Sequence, residues 1–275
     1  MTNCFHTNDI AEISKWAKEN NFFVLEVVHS IELNKEKFMK IKSEGIEIIS
    51  FIYCRNFLTK DEEERNLHYE NLIKRIEFAN EIEVRNITTS TGGDERLKPE
   101  ENLEKVCEFF KPILDKAKNY GINICFENCV ATGNIAISPY MWRLIFKELN
   151  YENLKLTFDP SHFLWQGIDI YKALKEFINK VSYFHMKDTE IIREELEDKG
   201  ITYGENFGRN IWWRHRIPGW GEINWEKFMS ILLENKFDGV LSKEHEDPLF
   251  EKNEEEVKKA LIMSKKFLEE LIGGK

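Results

Sequence analysis

The stretch Val181-Ser182-Tyr183-Phe184-His185-Met186-Lys187-Asp188 decides the fold. A β-branched and aromatic run breaks off in an imidazole, an ammonium and a carboxylate, as a buried parallel strand does when it ends at a functional rim. Three other stretches share the pattern. Ile124-Cys125-Phe126-Glu127-Asn128 ends in Glu127, and Leu156-Thr157-Phe158-Asp159-Pro160-Ser161-His162 ends in Asp159 and His162. Val240-Leu241-Ser242-Lys243-Glu244-His245-Glu246-Asp247 ends in four polar groups. Successive strands of this kind predict one site assembled at one rim of a parallel barrel.

Outward from these stretches, amphipathic helices alternate with short apolar strands, the pattern of a parallel α/β sheet. Helical periodicity covers Ile10 to Asn20, Asn34 to Ser43, Lys60 to Asn80, Glu100 to Tyr120, Pro139 to Leu149, Ile170 to Asn179, Asn224 to Asn235 and Glu254 to Ile272. Strands are expected at Phe22 to Val28, Ile46 to Tyr53, Ile82 to Thr88, Ile122 to Glu127, Leu154 to Phe158, Val181 to Met186 and Gly239 to Lys243. The fold class is therefore an α/β (β/α)8 TIM barrel with its first strand short or missing. Only Asn3-Cys4-Phe5-His6 is available as a stub, and without it the open edges need cover. No repeat, low-complexity tract or Pro/Gly-rich linker divides residues 1–275, so one domain is expected.

A length of 275 residues suits a single barrel of ~250 residues, and 42% hydrophobic content supports a large core. The formal charge of −10 repels phosphate backbones and argues against a nucleic-acid surface. Met1 to Thr7 lacks a basic region followed by an apolar core, and no segment offers the ~20 apolar residues of a membrane span. A cytoplasmic protein without a membrane partner is the expectation. The five cysteines, Cys4, Cys54, Cys107, Cys125 and Cys129, form no C-x-x-C pair and fit reduced thiols. Cys125 and Cys129 flank Glu127, either as thiolate ligands or as small packing residues.

Two rim loops stand out. Thr88 to Pro99 contains Thr89-Ser90-Thr91-Gly92-Gly93-Asp94, whose glycines either let backbone approach a ligand or shape an ordinary turn. Thr189 to Gly221 exceeds the ~12–15 residues beyond which a loop is usually functional or disordered. Its Trp212, Trp213, His215, Arg216 and Trp220 read as a lid or pocket wall.

Glu127, Asp159, His185 and Glu244 supply three carboxylates and one imidazole, a hard mixed set suited to one divalent ion. Carboxylate-rich ligation favours Mn²⁺ or Mg²⁺, with Co²⁺ and Zn²⁺ also accommodated. The plainer account makes each a cap or solvated charge, and Asp159 before Pro160 is an ordinary turn starter taken singly. Four in register on consecutive strands outweigh it. Glu244 and Glu246 share a strand face, so spacing does not choose between them. Lys187 and Asp188 can support the site or form a salt-bridged strand exit. His29 faces the same rim, as a substrate contact or a turn histidine. Phe163, Trp165, Trp212 and Trp213 offer an apolar wall for a sugar ring, against ordinary packing. The sequence shows no clear arginine cluster for a phosphate.

The run Asp159-Pro160-Ser161-His162-Phe163-Leu164-Trp165-Gln166-Gly167-Ile168-Asp169, the strand end His185 to Asp188, the segment Arg216 to Trp225 and the terminal strand Gly239 to Asp247 carry a resemblance. They resemble the sugar phosphate isomerase/epimerase family of xylose-isomerase-like TIM barrels, in the AP endonuclease family 2 superfamily. That resemblance implies one divalent ion, Mn²⁺ first, on Glu127, Asp159, His185 and Glu244, with Glu127 and Glu244 as the acid/base pair. It also places Arg216 on substrate oxygens, against a solvated loop arginine, and prefers Glu244 to Glu246 as ligand; His162, three residues beyond Asp159, is read from its position as a contact to a substrate hydroxyl or as a turn histidine. Added to His29, Trp165 and Lys187, these complete the expected substrate contacts.

The expected function is metal-dependent isomerisation or epimerisation of a keto sugar or keto-glycoside by proton abstraction beside a carbonyl. A lyase or dehydratase acting on a keto-inositol or 3-keto-glycoside uses the same site. A DNA-repair phosphodiesterase of the endonuclease IV type would need histidines that Tyr53-Cys54-Arg55-Asn56 and Thr88 to Thr91 do not supply. A non-catalytic carbohydrate-binding subunit is the third class. A small carbohydrate is the expected partner, and the reading allows a homodimer.

Overall fold

The computed structural model describes residues 1–5, 7–131, 133–203 and 211–273. Six strands are hydrogen-bonded in order: β1 (Val24–Val28), β2 (Glu47–Ile52), β3 (Asn86–Thr89), β4 (Asn123–Glu127), β5 (Leu154–Phe158) and β6 (Val181–His185); β9 (Leu241–Ser242) is a further short strand. Neighbours from β1 to β6 pair in parallel. Between the strands run α1 (Ile10–Glu19), α2 (Lys35–Ser43), α3 (Glu62–Glu81), α4 (Pro99–Asn119), α5 (Pro139–Glu148), α6 (Ser161–Trp165) and α7 (Ile170–Phe177). After β6 come β7 (Asp188–Ile191), α8 (Arg193–Lys199), β8 (Trp213–Arg216) and α9 (Trp225–Glu234), and after β9 comes α10 (Glu254–Leu271).

Polar side chains set the helix starts. Asp9, Asn34, Asp61, Ser138, Asp169, Asn224 and Asn253 each accept a hydrogen bond from a backbone N–H in the first turn of the helix they precede. The third strand begins at Asn86 rather than Ile82, because α3 runs on to Glu81 and Glu83 turns the chain at φ 59°. At the N-terminus Thr2–Cys4 is a 3-10 turn, so the described part of the stub is not a strand; His6 lies outside the described residues. Thr2 instead accepts from the Val28 N–H at the end of β1. Among the described residues no helix is long and apolar enough to cross a membrane.

The chain groups into two compact units, Met1–Phe158 with Lys180–Phe184, and Asp159–Asn179 with His185–Lys275. In the first, apolar side chains bury both faces of the strands, as parallel strands between helices require. Hydroxyls from four strands meet inside it: Thr88 bonds Ser50 at 3.0 Å, Thr157 at 2.9 Å and also Tyr183. In a flat sheet β3 and β6 would stand ~14 Å apart, further than a tyrosine reaches, so these strands curl round a common interior.

The second unit contains an antiparallel ribbon absent from the sequence reading. Its register pairs Asp188 with Arg216, Thr189 with His215, Glu190 with Arg214 and Ile191 with Trp213. The long loop from Thr189 to Gly221 is thus a built wall over its described part, and residues 204–210 lie outside that part. Buried Asp188 anchors it, accepting from the N–H groups of Thr189, Gly219 and Ile223 and from Trp225 Nε1 at 2.7–3.1 Å. Asp247 likewise accepts from the N–H groups of Ile217 and Leu249.

Candidate metal centre

Strand register sets where each candidate residue leaves its strand. Glu127 is the last residue of β4 and pairs with Thr157, two residues before Asp159. Phe158 pairs with Phe184, which precedes His185. The Met186 N–H donates to the Ser242 carbonyl at 2.7 Å, which sets Glu244 two residues past β9.

Within the second unit Asp159, His185 and Glu244 each offer a ligand atom, and these atoms lie within 4.8 Å of one another. His185 Nδ1 is 3.3 Å from Glu244 Oε2. Lys187, only 1% exposed, sets its ammonium 3.1 Å from Asp159, 2.8 Å from Glu244 and 2.6 Å from Glu246. Three carboxylates therefore share one buried cation. Two carboxylates and one imidazole, with no thiolate in this trio, fit a hard divalent ion.

The two terminal glutamates have divergent environments. Burial raises the Glu244 carboxyl, but the charges of Lys187 and His185 and their hydrogen bonds bring it well below the usual range. Glu246, half exposed, is raised to about 7 by desolvation and by the charge of Glu244, against the pull of Lys187. Its other contact is His215, at 3.5 Å.

His162 lies beside this trio, Nε2 3.4 Å from Asp159 Oδ2. Its ring meets His215 edge to face at 5.3 Å, and His215 meets Trp213 at 4.9 Å. Trp213 stacks on Trp165 at 4.6 Å with planes 4° apart. Burial first, then the charge of Lys187, drives the His162 pKa well below 6.5 and that of His215 to about 3, so both rings are neutral. His162 Nδ1, Trp165 Nε1 and Arg216 Nε and Nη1 are buried without a hydrogen-bond partner among the described residues. Each such group costs about 1–3 kcal/mol, which a polar ligand would recover. Arg216 lies 3.5 Å from Asp247 and 3.6 Å from Glu190, within ion-pair range, with its guanidinium over Trp220.

In the first unit Glu127 groups with Cys54 and Cys129, the three offering ligand atoms within 4.8 Å. Cys54 Sγ is 3.7 Å from Glu127 Oε2, and the hydrogen bond with Cys129, burial and the Glu127 charge hold Cys54 as a protonated thiol. Cys125 is a packing residue, fully buried and pushed up to about 12 by burial. Cys54 gives no signal in the sequence, where its strand end is notable only for lacking histidine. His29 is exposed, its carbonyl accepting from buried Arg75. Arg55 and Arg75 both lie over the Tyr53 ring, at 5.2 and 4.4 Å, an arginine pair 20 positions apart that spacing did not reveal. Gly92 and Gly93 pack against Phe57 and Gly133 backbone, so the glycines of the Thr88 to Pro99 loop serve loop-to-loop contact.

The chain belongs to the xylose isomerase-like TIM barrel family, whose model matches residues 5–267. Among curated relatives, the inosose dehydratase of Mesomycoplasma hyopneumoniae (strain J) is 30% identical over 148 residues, 53% of this chain and 48% of its own. That of Clostridium perfringens is 28% identical over 153 residues, 54% and 49% of the two chains. The chain thus spans about half the length of the curated relatives it matches. Among solved structures, the IOLI protein with a binding zinc atom superposes with a TM-score of 0.75 at 17% identity, covering 94% of this chain and 93% of that one. D-psicose 3-epimerase with D-tagatose from Clostridium cellulolyticum H10 gives 0.74 at 15% identity, covering 96% and 94%. At these identities the structures establish the fold.

Proposed function

We propose that this protein is a sugar isomerase or epimerase that removes and returns a proton on the carbon beside the carbonyl of a keto sugar. Glu127, Asp159, His185 and Glu244 would hold one divalent ion, Mn²⁺ first among Mg²⁺, Co²⁺ and Zn²⁺. The observation that carries this reading is the convergence of Asp159, His185 and Glu244 from successive strand ends around the buried Lys187 ammonium. Glu127 is added as fourth ligand because its register sets it beside the residues leading into Asp159. When bound, the ion supplies positive charge to the carbonyl oxygen as the proton leaves, lowering the barrier to carbon acidity.

The chain's own groups do the rest. Glu127 and Glu244 form the acid/base pair, one taking the proton and the other returning it. Glu244 is kept ionised by Lys187 and His185 and is able to accept a proton. His162 presents its unpartnered Nδ1 to a substrate hydroxyl, and Arg216, whose Nη1 makes no hydrogen bond, offers a donor to a second substrate oxygen. Lys187 balances the carboxylates and prevents their mutual repulsion from opening the site.

A second reading, dehydration of a keto-inositol, is supported by the names of the curated relatives. It begins with the same proton removal and ends with loss of the neighbouring hydroxyl. The test incubates keto sugars and keto-inositols with Mn²⁺-loaded protein in heavy water, followed by NMR. Deuterium at one carbon with every hydroxyl retained supports isomerisation or epimerisation; loss of water supports the dehydratase. Glu127→Gln and Glu244→Gln should each slow turnover by about 10²–10⁴-fold. Unchanged turnover in both variants defeats the acid/base assignment.

A further inference from the structure

The short helix α6 and the strand β8 turn four flat rings toward one another. His162 and Trp165 are one helical turn apart on α6, and Trp213 and His215 share a face of β8 because side chains alternate along a strand. The result is a patch in which the two imidazoles lie nearest the carboxylates and the two indoles lie about 5 Å further on, one helical turn beyond His162. Its polarity grades in the same order: His162 touches Asp159 and His215 touches Glu246, whereas Trp165 and Trp213 stack on each other at 4.6 Å. Both indoles are only partly buried. Trp165 Nε1 nevertheless lacks any hydrogen-bond partner, a buried donor with no acceptor supplied by the described chain.

Resting on the keto-sugar reading above, we infer that Trp165 and Trp213 form a shelf for a second ring, so that the substrate is a keto-glycoside rather than a free keto sugar. His162 lies against Asp159 and meets a sugar held there, whereas the stacked indole pair lies a helical turn further from the carboxylates. A ring joined through a glycosidic oxygen places its flat face on the shelf and offers the oxygen acceptors that Trp165 Nε1 lacks. The imidazoles of His162 and His215 lie at the junction, beside Asp159 and Glu246.

The test compares free 3-keto-glucose with nitrophenyl 3-keto-β-glucoside in heavy water, using Mn²⁺-loaded protein and deuterium exchange as readout. The shelf predicts a kcat/KM for the glycoside about tenfold or more above that for the free sugar. Trp165→Ala and Trp213→Ala should erase that ratio, while Trp165→Phe, which keeps a flat ring and the fold, should retain most of it. Equal kcat/KM values in the wild type, or a preference surviving both alanine variants, overturns the shelf. Absence of exchange with both compounds defeats the proton-transfer reading instead. The shelf is then judged by saturation-transfer NMR with nitrophenyl β-glucoside, which has no ketone: saturation of the nitrophenyl protons that disappears in Trp165→Ala upholds it, and saturation unaffected or never seen overturns it.

Discussion

Along β3 every residue is buried, and along β4 all but the first; on the ribbon, β8 buries only Arg216 and β7 only Asp188 and Thr189. The parallel strands are held by apolar contact on both faces, with polar chemistry confined to where each strand stops. The ribbon has little apolar surface to bury and is held by directed bonds instead: the four donors on Asp188 and the cross-strand pair Glu190 to Arg214 at 2.7 Å. The difference teaches where each region is vulnerable. A strand tolerates the loss of one contact among many, while the ribbon depends on single polar atoms.

The sharpest attempt to break this comparison is Asp188→Ala. It strips one acceptor from four donors in a buried setting, and a loss of about 3–5 kcal/mol is expected in urea unfolding. A loss below ~1 kcal/mol, the worth of one ordinary hydrogen bond, would show that the ribbon is held by something else. Lys187→Met comes next, since it leaves Asp159, Glu244 and Glu246 without their shared cation. Unfolding in chelator should cost up to about 3–5 kcal/mol, and added Mn²⁺ should recover more stability in the variant than in wild type. Equal metal-induced rises in melting temperature would contradict it.

Smaller again is Gly92→Ala, at φ +70° with a β-carbon that would sit 2.4 Å from the Phe57 backbone nitrogen. About 1–3 kcal/mol of strain is expected in thermal unfolding, without the loss of metal affinity that a ligand-binding loop would show. The mildest is pH dependence at Glu246. A carboxyl raised from 4.5 to about 7 favours the protonated folded form, so its stability contribution is full below pH 4.5 and falls as pH rises to about 7. Glu246→Gln should flatten the stability profile between those values; an unchanged slope would locate the titration elsewhere.

The parallel strands were legible because burial on both faces writes itself as an apolar run, and its abrupt end marks the rim. Ile124 to Phe126 and Tyr183 to Phe184 needed no tertiary information to be recognised as strands. The ribbon was not legible: Trp213-Arg214-His215-Arg216 has mixed polarity, and its pairing with Asp188 to Ile191 depends on partners more than twenty positions away. Separation along the chain likewise hid Cys54 beside Glu127 and Arg75 on Tyr53. For the Gly92-Gly93 turn, sequence showed conformational freedom but not whether a ligand or another loop would use it.

Chain order and hydrophobic period by themselves determined an α/β barrel and nominated acidic and imidazole groups at its strand ends, because burial acts residue by residue along the chain. Only the tertiary structure decided which of Glu244 and Glu246 turns toward His185, that Lys187 lies among three carboxylates, and that Trp165 finds Trp213. Those facts depend on side-chain direction and on atoms brought close by folding, and interactions that decay within a few ångströms leave no trace in sequence spacing.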